Sequence, residues 1–346
     1  MVCLIMYKKL FHLVLLFLIC GSIRAQAAVI LQYHHVSETL PAVTSVSANT
    51  FTKHLNYLKE HNFNVIPLNE LISALQQGKA LEDKTIAITF DDGYNNNYDQ
   101  AAPILEEFGY PYTIFVNPKL IDEQASYLMG WDKLRKLAKK GALIANHSAE
   151  HNYLHKKLEN ETQNQWRERT KKDILSSQQR IKEEIGHDYK YVAYPYGEFN
   201  NQLQALVTEL GFVGIGQHSG AVNQHSNFSR LPRFPASGFY SKLGTLITKI
   251  NSTAFTINKL TYEDSVTSKN PPTLTIKLET DDFHKSQFAC YVSSVGQANL
   301  NWLDDSTVEI TSPKQLNKGR SRFNCTAPSI KQAGNYYWFS QPWVIN

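Results

Sequence analysis

Between Val29 and about Lys249, short β-branched apolar runs alternate with stretches whose apolar residues recur at helical spacing, the pattern of repeated βα units. Strands are predicted at Ile30–Tyr33, Asn64–Ile66, Thr85–Phe90, Tyr112–Val116, Ala142–Ala145, Tyr191–Tyr194, Phe212–Ile215 and Leu231–Phe234. Helices are predicted over Phe51–Glu60, from Asn69 through Leu75, and over Ala101–Phe108, Trp131–Lys140, Glu161–Ile185 and Asn201–Leu210. Gly109, Gly141, Gly186 and Gly211 follow four of these helices, where a left-handed residue ends a helix most easily. Thr85–Phe90 is uncharged throughout, as a strand covered on both faces would be, yet it ends on Asp91-Asp92-Gly93. Such a triplet also suits a tight turn or a helix N-cap.

After about Asn251 the helical periodicity stops. Thr- and Ser-rich alternation follows, with Pro271-Pro272 ahead of Thr273-Leu274-Thr275-Ile276, and predicts a small all-β sandwich. The order Cys290, Trp302, Cys325 resembles the immunoglobulin core, with fewer residues than usual between the cysteines, so the module is read as Ig-like. At the other end, Lys8 and Lys9 precede an apolar run from Leu10 to Cys20 and then Ala25-Gln26-Ala27, which together read as a secretory signal cleaved after Ala27. Ile19 stands before Cys20 where a lipidation site needs a small residue. The chain thus divides into a signal peptide at 1–27, a βα domain at 28–250 and a β-sandwich at 251–346. Removing the signal takes Cys3 and Cys20 with it and leaves Cys290 and Cys325 to form a disulfide in an oxidising compartment.

Composition narrows the function classes. In 346 residues, 42% hydrophobic and 19% charged excludes disorder and coiled coil. A formal charge of +4 without a long basic block gives no electrostatic case for nucleic acid, and no stretch of the mature chain is predicted to span a membrane.

The polar residues His34, Asp91, Asp92, Asn117, His147, Tyr196, His218 and Arg233 all lie just after a predicted strand. A parallel β/α barrel would gather them at one mouth, whereas an open doubly wound sheet would spread them along a crevice. His147 and His151 are four apart, a spacing that on one turn of helix puts both rings on the same face, able to meet one cation. Two His and one Asp leave an open coordination position, the catalytic pattern for zinc, although other divalent first-row ions also suit such a set.

These segments are similar to the motifs of the NodB-like polysaccharide deacetylases. Thr89-Phe90-Asp91-Asp92-Gly93-Tyr94 resembles the first motif, His147-Ser148-Ala149-Glu150-His151 the His-Ser-x-x-His motif, and Pro195-Tyr196-Gly197 the Pro-Tyr-Gly segment. The resemblance covers about Val29 to Ala236. It implies an α/β fold, a distorted and incomplete (β/α) barrel, and metal-dependent removal of acetyl groups from amino sugars. By position it implies Asp91 as general base, Asp92, His147 and His151 as ligands of a divalent metal, most simply Zn2+, and the backbone N–H of Tyr196 as an oxyanion donor.

Two departures from the family pattern remain. Where the family often has an Arg two residues before the Pro-Tyr proline, this chain has Ala193; Arg233 is a candidate replacement, or else a structural ion pair. No late Leu-x-His motif follows Phe212. Leu31-Gln32-Tyr33-His34 instead resembles the front-placed motif of the biofilm poly-N-acetylglucosamine deacetylases, which implies His34 as general acid, with His35, His218 and His225 as alternatives. Tyrosines 94, 98, 196 and 240 offer stacking surfaces to sugar rings or serve packing. The expected protein is an exported, periplasmic or secreted N-deacetylase of a β-linked N-acetylglucosamine polymer or oligomer, its tail available to an envelope partner. An O-acetyl esterase and a non-catalytic carbohydrate-binding protein are the alternatives.

Overall fold

The computed structural model describes residues 27–346. The signal-peptide reading, Cys3 and Cys20 included, lies outside them but for Ala27. None of the described helices is long and apolar enough to cross a membrane.

The βα region forms one parallel sheet in the order Phe234–Pro235, Ala28–Tyr33, Thr85–Phe90, Thr113–Val116, Leu143–Asn146, Tyr191–Ala193, Val213–Ile215, with Asn64–Val65 beside the start of Thr85–Phe90. The two ends of that order approach each other. Leu231 makes a parallel bridge to Ile215, and three residues later Phe234 pairs with Leu31. The sheet is therefore a curled, incompletely closed barrel, and the residues after its strands converge.

The alternation within each strand explains its burial. In Thr85–Phe90 every residue is buried, but Ile86, Ile88 and Phe90 join one apolar cluster while Ala87 joins another. Val29 and Leu31 divide from Ala28 and Ile30 in the same way. One set packs with Phe51, Leu55 and Leu105 and the other with Leu71, Ile72 and Phe115, so both faces of the strands are covered, as a period-two pattern buried on both sides requires. Helix Gln163–Ile185 starts on a Thr162–Gln165 capping box, two residues later than the predicted Glu161, and ends at the predicted Gly186 in the left-handed region.

Beyond Ile250 two sheets face each other. One holds Tyr336–Ile345, Gly319–Pro328 and Ala289–Val292 with shorter strands; the other holds Ile257–Thr261, Thr273–Leu278, Thr307–Thr311 and Asn299–Trp302. Leu274, Ile276, Val308 and Ile310 meet Phe323, Ala327 and Trp343 in the shared core. The sandwich expectation holds, but its immunoglobulin detail does not. Cys290 and Cys325 are register partners on neighbouring antiparallel strands, so the disulfide lies within one sheet and does not bridge two. The deeply buried tryptophan is Trp343, while Trp302 is half-buried.

The sandwich is tied closely to the barrel. Trp338 of the sandwich packs edge-on against Phe234 of the barrel at 5.2 Å, and the buried Arg230 donates to Tyr262 Oη and Gln341 Oε1 at 3.0 and 2.9 Å.

Candidate metal centre and reaction site

Two successive left-handed residues, Asp92 (φ 73°) and Gly93 (φ 74°), turn the chain sharply at the end of Thr85–Phe90. The left-handed φ favours glycine at position 93, and a Cβ there would also crowd Val116 Cγ1 at 3.0 Å. Asp91 still donates its N–H to Tyr33 O at 3.0 Å, extending the parallel ladder, and its carboxylate points into the curl with no exposure.

The histidine pair is built differently from its sequence expectation. His147 to His151 is a loop and not a turn of helix, because Ser148 (φ 67°) and His151 (φ 60°) take left-handed conformations that break helical continuation. Local polar contacts hold this loop. Asn146 Oδ1 accepts the Ser148 N–H, Ser148 Oγ accepts the His151 N–H, and Asp173 Oδ1 accepts the Ala149 N–H, at 2.8, 3.0 and 3.0 Å. Asn117, after its own strand, donates to His147 O at 2.6 Å.

The loop folds back so that both rings reach one carboxylate oxygen. His147 Nε2 and His151 Nε2 each lie 3.3 Å from Asp92 Oδ1. His147 Nδ1 donates to Ala193 O at 2.8 Å, which orients the ring and leaves the buried Nε2 facing Asp92 with no other partner; burial lowers the His147 pKa and the two aspartates more than offset that. One ligand atom from each of Asp92, His147 and His151 falls within 4.8 Å of the others. A buried imidazole nitrogen beside a second imidazole and a carboxylate fits a divalent cation. Burial alone would raise the Asp92 pKa, but contact with His147 and the charges of the nearby imidazoles hold it at about 2. Burial and the neighbouring His147 lower His151 to about 4, so its ring is neutral and available as a ligand near pH 7.

Asp91 sits beside this triad under a different set of restraints. Arg233 Nη1 is 2.7 Å from Oδ1 and Nη2 is 2.8 Å from Oδ2, and both side chains are fully buried. Gln32 Nε2 donates to Oδ2 at 2.6 Å, and Gln217 Nε2 lies 3.5 Å from the same oxygen. Burial pushes the Asp91 pKa up, yet the Arg233 charge more than offsets it and holds the carboxyl well below the usual range. His34 Nε2 is 3.8 Å from Oδ2, its side chain one-fifth exposed at the mouth, and Asn97 donates to His34 O at 2.7 Å.

The other histidines are engaged elsewhere. His35 stacks on Tyr94 at 3.8 Å and meets Asn96 at 3.0 Å, His218 is buried against Phe199, and His225 faces Gln224. Tyr196 adopts φ 61° within Pro195–Gly197; its ring lies 4.5 Å from His151 and stacks on Tyr153 at 4.1 Å. Tyr98 and Tyr240 lie under Lys133 and Lys249, so of the four tyrosines singled out in the sequence two stand at the triad: Tyr196, whose ring packs on His151, and Tyr94, which packs on His35 and whose hydroxyl meets Asp92. Gln32 and Gln217 escaped sequence reasoning, although Gln32 is a polar residue inside the apolar strand Ala28–Tyr33 and carried that signal.

Residues 78–215 match the family described as polysaccharide deacetylase. The chain carries a polysaccharide deacetylase domain. It is 26% identical over 210 residues to YxkH of Bacillus subtilis (strain 168), covering 60% of this chain and 71% of that protein. It is 25% identical over 194 residues to the poly-beta-1,6-N-acetyl-D-glucosamine N-deacetylase of Staphylococcus aureus (strain MRSA252), covering 55% of this chain and 67% of that one. Among solved structures, the Streptococcus pyogenes deacetylase PplD in complex with acetate superposes with a TM-score of 0.59 at 18% identity, over 65% of this chain and 98% of that chain. IcaB from Ammonifex degensii superposes with a TM-score of 0.57 at 19% identity, over 65% and 97%. These superpositions bear out the deacetylase-type curled barrel. In the deacetylase domain, the Asp92, His147 and His151 cluster and the gripped Asp91 lie within the matched segment, whereas His34 and Arg233 lie outside it.

Proposed function

We propose that the protein is an exported, metal-dependent deacetylase that hydrolyses N-acetyl groups of a β-linked N-acetylglucosamine polymer or oligomer, with residues 28–250 as its catalytic domain and 251–346 as an appended sandwich. The observation that carries the reading is the division of the two neighbouring aspartates: Asp92 faces two imidazole nitrogens, and Asp91 faces Arg233.

Asp92, His147 and His151 would hold the cation, most simply zinc, which when bound polarises an acetyl carbonyl and acidifies a water. Asp91 accepts the proton of the attacking water at Oδ1, the oxygen with fewer donors upon it. Arg233 and Gln32 keep that carboxylate ionised and in one orientation, which trades basicity for position. The N–H of Tyr196, on a peptide turned by its left-handed conformation, binds the developing oxyanion. His34 Nε2, at the open side of the site, donates a proton to the departing amine nitrogen. The stacked Tyr153 and Tyr196 rings offer a face to a sugar.

The printed activity of the Staphylococcus aureus relative supports the N-acetylglucosamine polymer as substrate. The disulfide supports export. The test is acetate release from poly-β-1,6-N-acetylglucosamine and from a panel of N- and O-acetylated glycans, with zinc added or chelated. Release that zinc restores, that favours the N-acetylated polymer, and that Asp91→Asn abolishes while metal is retained is the expected result. Undiminished release by Asp91→Asn would sink the mechanism, and faster release from O-acetylated glycans would make the protein an esterase.

A further inference from the structure

Where the sandwich meets the deacetylase domain, a cavity of about 40 Å³ is lined by Tyr196, Glu198, Gln217 and His218 on one side and by Arg320 and Arg322 on the other. The two arginines reach it because of strand periodicity. Phe323, Cys325 and Ala327 of the strand Gly319–Pro328 pack into the sandwich core, so Arg320 and Arg322 project from the opposite face, toward the barrel.

Their partners are unequal. Arg320 Nη1 donates to Tyr196 O at 3.2 Å, and its Nε lies 3.7 Å from Glu198 Oε1. Arg322 is half-buried, and no carboxylate among the described residues pairs with it; the charged or titratable groups around it are Tyr240, the like-charged Arg320 and Lys249, and the buried His218. Burial and that repulsion depress its pKa. A guanidinium removed from water without a counter-ion is costly, and a carboxylate received in its fork removes the cost.

The cavity adjoins the reaction site. Gln217 also lies 3.5 Å from Asp91 Oδ2, and Tyr196 also packs on His151. The volume admits one small group and no sugar ring.

We propose that Arg320 and Arg322 form an anion subsite that takes one small carboxylate beside the reaction centre. On the deacetylase reading, on which the choice of source rests, that carboxylate is either released acetate or an acidic substituent of the acetylated glycan. The subsite gives the sandwich a part in catalysis, since its strand supplies both cations.

The direct probe is sodium acetate titrated into the zinc-loaded full chain, with sodium chloride at equal ionic strength as the control, followed by the arginine Nε–H resonances. The Arg322 signal, assigned by its loss in Arg322→Gln, should shift saturably with acetate and not with chloride. Equal responses to both salts overturn the proposal. This readout needs no turnover, so it stands or fails apart from the deacetylase reading. In the kinetic arm, acetate inhibition should weaken about tenfold or more in Arg322→Gln and less in Arg322→Lys, as the loss of a charge-assisted pair requires. A preference for carboxylate-bearing over neutral acetylated oligosaccharide that Arg322→Gln erases assigns the subsite to substrate. Weakened acetate inhibition with no such preference assigns it to product. Acetate inhibition and substrate preference both unchanged in Arg322→Gln overturn it.

Discussion

Arg233 grips Asp91 at two points, Nη1 to Oδ1 at 2.7 Å and Nη2 to Oδ2 at 2.8 Å, from a position 142 residues later in the chain. The family pattern places an arginine two residues before the Pro-Tyr segment, and this chain has the buried Ala193 there, its carbonyl committed to His147. Leu231 and Phe234 tie the two edges of the sheet together, so the same segment that draws the curl toward closure delivers Arg233 to the base.

Arg233→Lys keeps the charge and loses the fork, and a lost charge-assisted hydrogen bond of about 1.5–3 kcal/mol sets the scale of the damage. The expected outcome is a fall in kcat of roughly 10- to 100-fold with metal content unchanged. Arg233→Ala leaves a buried carboxylate uncompensated and should cost about 3–5 kcal/mol of stability at neutral pH. Because the folded pKa of Asp91 is depressed, that stabilisation is present above the ordinary carboxylate range and is lost as pH falls through and below it. Urea denaturation of wild type and Arg233→Ala should therefore converge toward acid pH; curves that stay parallel would contradict the assignment.

His34 and His35 are sequence neighbours with different surroundings, and substrate choice separates them. Loss of a general acid costs typically 10² to 10⁴ in rate on an amide, whose amine must be protonated to leave. An activated aryl ester needs no such proton. His34→Gln should therefore lose about 10²-fold or more on the amide and little on an aryl acetate. His35 is stacked on Tyr94, so His35→Gln should lower the melting temperature and affect both substrates alike. Equal losses on both substrates for His34→Gln would remove it from the acid role.

Lys249 provides a pH prediction of the same sign as that of Asp91, in the alkaline range instead of the acid one. It is buried, donates to Pro235 O at 2.8 Å, and burial followed by repulsion from Arg322 lowers its pKa to about 7. Between that value and about 10.4 the unfolded chain binds more protons than the folded one, so this group's contribution to stability rises with pH across the window. Lys249→Met removes the titration. The variant's stability relative to wild type should be highest below pH 7 and decline from about pH 7 to pH 10, as measured by denaturant unfolding at several pH values.

The strands and most of the site were legible because local patterns record them. Thr85–Phe90 is apolar on both alternations, and Asp91, Asp92, His147 and His151 stand after strand ends that a curled sheet must gather. The loop geometry of His147 to His151 was not legible, since a spacing of four suits a helix and a left-handed serine leaves no compositional mark. The grip of Arg233 was legible only as an alternative, because a pairing across 142 residues depends on how far the sheet curls. The disulfide was legible as a pair but not in its place: spacing says that Cys290 and Cys325 can meet, and only register says that they meet within one sheet.

That register sets the last prediction. Cys325 lies on the strand whose earlier residues Arg320 and Arg322 face the barrel, and its partner Cys290 anchors that strand to its neighbour. With a sequence separation of 35, the cross-link should contribute roughly 3–4 kcal/mol in the chain-entropy model. Reduction, or Cys290→Ala with Cys325→Ala, should lower the melting temperature by several degrees, with the sandwich losing hydrogen-exchange protection before the barrel does. Strand Ser252–Ala254 pairs with Tyr336–Trp338, so loosening there should also reach Trp338, which packs on Phe234 one residue after Arg233. Hydrogen exchange on the oxidised and reduced protein checks both steps, and unchanged protection in Gly319–Pro328 after reduction would show that hydrogen bonding to Tyr336–Ile345 suffices to hold the strand.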